Sequence, residues 1–490
     1  MDGFTAPSSS MIGSERGLPR VAPLREIVST EPATGIEVWR GPVGEVSELV
    51  HRARRAFPQW AALPLVNRVE LLRRFANEVR KEAERLATII ARETGKPLRD
   101  ARAEVESVVA RVELAVRAHA ERAPKRQLDS ALQGRITLRH KPHGVLAAIT
   151  PFAMPAQIPA GHLVPALLAG NAVILKPSEK TPATAEALVR CFHRAGIPAS
   201  VVQLCVGGPD EGQTLTLDEG VDGVLFTGSA AVGIGINRRL AARPDKLVVL
   251  QMGGNNPLVV WDTPKLAEAA ALVVQSAFAG AGQHCTTARR LIVRASLHDA
   301  LLKEVTKLTD RLIVGAPFDD PAPFMGPLID AEATTGLIDS FRYLAAHGGT
   351  AIRVPEQPRA GLPFLTPGIV DVTALADRPD VELFGPILQV IRVETAEEAL
   401  REANATRFGL VSGLIGGSPE LYEQFWAGGR TGIVTWNRAT VGADDAGPAG
   451  GTGLSGNHHP GGTYAPDFCA YPVASGELDQ PRGAITTGLR

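Results

Sequence analysis

VLAAIT (145–150), AVILKP (172–177), VVQLCV (201–206), GVLFTGS (223–229) and LVVLQMGG (247–254) are five short apolar runs closed by turn residues. Each pair is separated by enough chain for a helix. Strand, helix, strand at this spacing predicts a parallel sheet, because the crossovers cover both faces with helices. Upstream, residues 46–120 predict helices: Val69, Leu72, Ala76 and Val79 recur at three- and four-residue intervals, with Arg, Glu and Lys between them. Gly95 followed by Pro97 ends one such helix. Ile136 and Leu138 alternate with Thr137 and Arg139, as in a half-exposed strand. Downstream, a second α/β stretch runs from about Leu258 to about Asn437. The Gly-rich stretch 442–462 holds His458 and His459 but no cysteine or third histidine at ligand spacing, so a loop is expected there and no metal.

A chain of 490 residues allows two or three packed units, at roughly 150 residues per domain. A formal net charge of −1 offers no global basic excess for nucleic acid or an anionic membrane. Cys191, Cys205, Cys285 and Cys469 show no CxxC spacing, which points to reduced thiols in the cytoplasm. The first twenty residues lack the apolar core of a secretion signal. The most apolar stretch, 162–175, is interrupted by Pro165, Gly170 and Asn171, so no bilayer span is expected.

The chemistry centres on GQHCTT (282–287), which follows a helical stretch at 266–278. Small neighbours let a substrate approach Cys285, and nearby donors can steady an oxyanion. Most lone cysteines fill cores, so context must decide. A phosphate-handling signal is distributed over several strand ends. Lys176, Ser178 and Glu179 close one strand, where a lysine and an acid reach ribose hydroxyls. Gly208, Gly212, Phe226, Thr227, Gly228 and Ser229 lie where open backbone N–H groups suit a pyrophosphate. No GxGxxG is present.

Taken in order, these pieces resemble the aldehyde dehydrogenase superfamily across essentially the whole chain. The matching motifs are ITPF (149–152), LKPSE (175–179), FTGS (226–229), MGGNNP (252–257), GQHCT (282–286), ELFGP (382–386) and NATRFGL (404–410). GGNNP, QSAF (275–278), AGQHCTTARR (281–290) and SGNHHP (455–460) look most like the succinylglutamate semialdehyde dehydrogenases, which oxidise a dicarboxylate-like aldehyde with NAD. The resemblance implies an α/β fold with two parallel-sheet domains: a dinucleotide-binding domain (1–121 and 141–253) and a catalytic domain (254–442). It also implies a small oligomerisation ribbon (122–140 and 463–490) that makes a homodimer or homotetramer. Cys285 would attack the aldehyde to give a thiohemiacetal, and hydride transfer would leave a thioester for water to cleave. Lys176 and Glu179 would hold the adenosine ribose, Ser229 the pyrophosphate side, and Glu382 with Phe384 the nicotinamide ribose and ring, with Gly253 also at the cofactor. Glu179 favours NAD, while the neighbouring lysine leaves NADP open.

Two departures stand out. The family's oxyanion-donating Asn is Ala153 here, and its water-activating Glu is Gln251. An amide can position a water but cannot take its proton at neutral pH. Three explanations are compatible with this pair. The enzyme could reduce an acyl thioester of CoA or a carrier protein, which needs no hydrolysis. It could be a weakened dinucleotide-binding or assembly protein. Or the changes were introduced by design, to trap an intermediate. Ala449 replaces an aromatic near the substrate mouth, which predicts a wider pocket. His284 could tune the thiol, and Arg289 and Arg290 could meet substrate carboxylates, although surface or interdomain ion pairs are the more ordinary reading.

Overall fold

The five apolar runs form strands Val145–Ile149, Ala172–Lys176, Val202–Leu204, Gly223–Gly228 and Leu247–Met252 of one sheet, parallel throughout. In this computed structural model residues 26–129, 135–442, 446–481, 483 and 487–488 are described. The N-terminal stretch read for a signal lies outside them. So do 130–134 of the 122–140 segment, 443–445 of the Gly-rich stretch and 482, 484–486 and 489–490 of the C-terminal segment. Across the sheet the order is third, second, first, fourth, fifth, so the winding reverses between Val145–Ile149 and Gly223–Gly228. That reversal opens a crevice at the carboxyl ends of these two strands. The strands are buried on both faces, which is why they read as near-continuous apolar runs.

Upstream, four helices (Val46–Ala62, Leu65–Lys81, Ala83–Thr94 and Leu98–Arg122) occupy the region predicted helical. Gly95, at φ +76°, ends the third as a left-handed cap. The helix Gln157–Ala169 is buried along most of its length, so its sequence shows no polar face.

The second sheet has seven strands, in the order Thr350–Arg353, Gly368–Asp371, Ile387–Val393, Ala288–Arg294, Asn256–Val260, Val411–Ile415 and Ile433–Trp436. All pairs are parallel except the first. A third, antiparallel sheet joins Arg126–Asp129, Arg135–Pro142 and the edge strand Ala470–Glu477. The Gly-rich stretch is a loop with two short strand pairs, and part of it seals the first sheet. Asn457 donates to the Val248 carbonyl and accepts from the Leu250 N–H, both at 2.8 Å, so it caps the open edge of Leu247–Met252. Among the described residues no helix is long and apolar enough to cross a membrane, and no group of residues could hold a metal ion.

Candidate active site

The helix Leu266–Phe278 ends in a turn where Gly280, Ala281 and Gly282 all have positive φ (59°, 55° and 68°). Gly282 is required twice over, since a Cβ there would also strike the Gly385 carbonyl. The turn delivers Cys285, half-buried, into a loop pinned from two sides. Asn256 donates its amide to the carbonyls of Cys285 (2.7 Å) and Thr287 (2.9 Å). Arg289, fully buried, donates to the carbonyls of Gly282 (2.6 Å), Gly385 (3.2 Å) and His284 (3.0 Å). Arg289 therefore ties the cysteine loop to the ELFGP loop, with its guanidinium 5.4 Å from the Phe384 ring centre. Arg290 is buried likewise, on the carbonyls of Asn255, Glu402 and Ala403. Both arginines are buried and hold backbone carbonyls, and each also lies 3.8 Å from a carboxylate, Arg289 from Glu382 and Arg290 from Glu402, so their ion pairs are internal and not on the surface.

Glu382 lies over Gly253, where any Cβ would run into its carboxylate. Its Oε1 is buried with no hydrogen-bond partner, 3.8 Å from Arg289. Burial raises its pKa, against the opposing pull of Arg289 and the Gly254 N–H. Burial also pushes the Cys285 thiol up to about 11, helped by the Glu382 anion and resisted by Arg289. Burial, then the charges of Lys96 and Arg289, hold His284 down at about 3, so it carries no positive charge to stabilise a thiolate.

The two helix starts flagged for phosphate differ. At Pro209–Leu217 the Gly208 N–H donates to Glu211 Oε2 (2.7 Å), and Asp210 and Glu211 load the first turn with negative charge. At Ala230–Leu240 the first turn carries no acid, and Ser229 accepts from the Val232 N–H (3.4 Å). The positive end of that second helix is the one open to an anion. Phe226 folds its ring across Gly228, leaving no room for a Cβ. Lys176 is buried beside Gly212, donates to the Pro177 carbonyl (3.0 Å) and faces Glu179 at 3.8 Å; burial lowers its pKa. Ser178 steadies the same turn by accepting from the Lys180 N–H (3.2 Å).

Ala153 has a carbonyl held by Lys96 Nζ (2.8 Å), and Lys96 pairs with Glu104 at 2.6 Å in the interior. Glu104 in turn accepts from the N–H groups of Ala156 and Gln157, capping the helix Gln157–Ala169. The backbone of this turn is thus held without any side chain at 153. Ala153 and His284 line one cavity of about 10 Å³, room for about one water. Phe152 meets Phe384 edge to face at 5.9 Å, joining the turn to the ELFGP loop. Gln251, half-buried, lies between Thr227 and Gly461, two residues before the Gly253 that supports Glu382. Ala449 pairs with Gly461 across the same loop.

Residues 22–472 match the model of the Aldehyde dehydrogenase family. The chain belongs to that family. A curated relative from Novosphingobium aromaticivorans, named N-succinylglutamate 5-semialdehyde dehydrogenase, is 64% identical over 465 residues, 95% of this chain and 99% of its own. Among solved structures, an NAD-dependent aldehyde dehydrogenase from Sinorhizobium meliloti superimposes with a TM-score of 0.88 at 27% identity, covering 94% of this chain and 93% of that one. Glyceraldehyde-3-phosphate dehydrogenase GapN from Methanocaldococcus jannaschii, complexed with NADP, gives 0.85 at 26% identity over 92% and 98%. The fold is the α/β fold of the family, and the protein is an oxidoreductase that uses NAD(P).

Sequence reading assigned no role to the Lys96–Glu104 pair, Gly461 or His162, and although Asn256 and Asn457 fall inside quoted motifs, their own contacts were not foreseen. Most of these contacts reach residues distant in the chain, such as Ala153 for Lys96 and Val248 for Asn457. His162 carried a local signal, a single titratable residue inside an apolar helix.

Proposed function

We propose that this protein is an NAD-dependent semialdehyde dehydrogenase of the dicarboxylate type, acting on N-succinylglutamate 5-semialdehyde or a close analogue through Cys285, with a slow, base-poor release of the acyl group. The observation that carries the chemistry is Cys285 in a doubly pinned loop beside a buried Glu382 oxygen that lacks a donor. A ribose hydroxyl would satisfy that oxygen, and the acid-free start of Ala230–Leu240 suits a pyrophosphate. The substrate class rests on the relative 64% identical to this chain.

The Cys285 sulfur forms a bond to the aldehyde carbon, and the thiol proton passes to the aldehyde oxygen. NAD, when bound, would supply the hydride acceptor. As the hydride leaves carbon, the hydroxyl loses its proton and a thioester remains on Cys285. With Ala153 offering no donor, the Cys285 backbone N–H carries the oxyanion load. Water then adds to the thioester, sulfur leaves with a proton, and the carboxylic acid departs. Gln251 can orient that water but cannot accept its proton. Glu179, with Asp210 and Glu211 on the nearby helix start, disfavours an added 2′-phosphate, so NAD is preferred to NADP.

Gln251 and Ala153 also support a second reading, in which CoA or a carrier thiol exchanges with the acyl group and the enzyme works as a thioester reductase. We further propose a homodimer or homotetramer through the edge strand Ala470–Glu477, where Tyr471 is exposed, as is Leu478 just beyond it. Four unpaired cysteines suit a reducing, cytoplasmic location. The test is intact-mass spectrometry with the semialdehyde and NAD. NADH formation with an adduct on Cys285 that water releases supports oxidation. Release only by CoA or another thiol moves the assignment to thioester reduction. Neither NADH nor adduct overturns both.

A further inference from the structure

His162 is the one titratable side chain in the helix Gln157–Ala169, and it is 2% exposed. Its Nε2 lies 2.8 Å from Thr227 Oγ1, and Thr227 Oγ1 lies 3.4 Å from Gln251 Oε1. The three residues come from a helix and from the carboxyl ends of two adjacent strands. A buried histidine thus reaches the position where this chain has an amide in place of a carboxylate. Its Nδ1 is buried and has no hydrogen-bond partner.

Two proton arrangements are open to this chain, because Thr227 has one hydroxyl proton. In one, His162 Nε2–H donates to Thr227, and Thr227 donates to Gln251 Oε1. In the other, Thr227 donates to His162 Nε2, and Nδ1 carries the proton. Arg111, on the helix Leu98–Arg122, is the charged group that acts on His162 among the described residues, and with burial it holds the imidazole neutral, at about 4. Thr227 Oγ1 is the donor to Gln251 Oε1, so its single hydroxyl proton is already directed there and His162 Nε2–H supplies the other bond. The first arrangement is therefore preferred. It leaves Gln251 Oε1 as the acceptor and turns Nε2 towards Gly461, against which Nε2 is packed.

We propose that His162 is a positioning residue for Gln251: through Thr227 it fixes the amide with its oxygen inward and its N–H₂ offered to the acyl pocket on the Ala449–Gly461 side. The consequence for turnover rests on the Cys285 reading above, while the geometry does not. The amide becomes a donor to the acyl oxygen, on a site where Ala153 supplies none. His162 is then a fixed donor and never a proton shuttle.

His162→Gln retains an N–H close to the Nε2 position but has no titratable ring, whereas His162→Leu has neither. In the positioning role, breakdown of acyl-Cys285 by water stays within about twofold of wild type in His162→Gln. It slows about tenfold in His162→Leu, the worth of one neutral hydrogen bond. The rate rises steadily with pH between about 6 and 9 in wild type and His162→Gln alike. Should His162→Leu fail to fold, Thr227→Val, nearly isosteric with the native residue, breaks the same link with the same tenfold effect. A pH inflection in wild type that disappears in His162→Gln makes His162 a relay and overturns the proposal. Unchanged breakdown in His162→Leu and Thr227→Val also overturns it. A second measurement needs no turnover: in protein labelled with ¹⁵N-glutamine, the Gln251 side-chain amide is assigned by its loss in Gln251→Glu. Its resonance should move in His162→Leu and Thr227→Val and hold in His162→Gln. A resonance indifferent to all three defeats the proposal, while absence of NADH in wild type defeats only the Cys285 reading.

Discussion

In the proposed function the carboxyl ends of the first sheet and the Cys285 loop serve one site, yet their side chains are matched to those tasks very differently. On the nucleotide side the polar groups suit the ligand: a lysine with an acid beside it, a helix start free of acids, and a buried carboxylate oxygen awaiting a donor. On the acyl side the scaffold is complete but the helpers are changed. Asn256 and Arg289 pin the cysteine loop, and Lys96 with Glu104 holds the turn at Ala153. Position 153 nevertheless offers no donor and position 251 no base. Scaffold and chemistry are separable here, because the groups that hold the backbone are different from those that would touch the reacting atoms.

That separation can be broken at several points. Cys285→Ala is expected to lower NADH formation by on the order of 10³–10⁶, with NAD binding retained by fluorescence titration. Loss of both would mean that the thiol also holds the fold. Gln251→Glu should restore a base and speed water-driven release of the acyl group by about 10²–10⁴. Single-turnover decay of the adduct measures it, and an unchanged decay would show that base strength at 251 does not limit release. Arg289→Met leaves three carbonyls and Glu382 without their cation, and should cost about 3–5 kcal/mol in urea unfolding. A loss under about 1 kcal/mol would remove Arg289 as the tie between the loops.

The smallest effect concerns the thiol. Because the Cys285 pKa is raised to about 11, alkylation of the free protein should climb about tenfold per pH unit between pH 7 and 9. Cys191, Cys205 and Cys469 are buried, so the label reports Cys285. Glu382→Gln removes a negative charge that raises this pKa. The thiol then ionises more readily, and labelling at pH 8 should quicken a few-fold, about what one nearby charge is worth. Slower labelling would reverse the sign of the electrostatic argument.

Strand and helix positions were legible because each rests on a local pattern. The runs at 145–150 and 247–254 became strands Val145–Ile149 and Leu247–Met252, and the helical stretch before Cys285 runs Leu266–Phe278. Motif order led to Cys285, Glu382 and Phe384 for the same reason. The arginines were not legible. Arg289 and Arg290 sit in a strand sequence, ARRLIVR, whose charge suggests exposure, and backbone carbonyls from distant segments, with the carboxylates of Glu382 and Glu402, make their burial tolerable. Nor was the uncharged state of His284, which burial imposes.

By itself the sequence determined the alternation of strands and helices, the candidate thiol in GQHCT, and the absence of an amide side chain at 153 and a carboxylate at 251. These are statements about residue type and spacing, which no folding can alter. Tertiary structure alone decided which groups hold the cysteine loop, that burial raises the pKa of its thiol, and that a buried histidine stands behind Gln251. Those depend on distance and on exclusion of water, and residues as far apart in the chain as Gly282 and Gly385 acquire both only when the sheets pack.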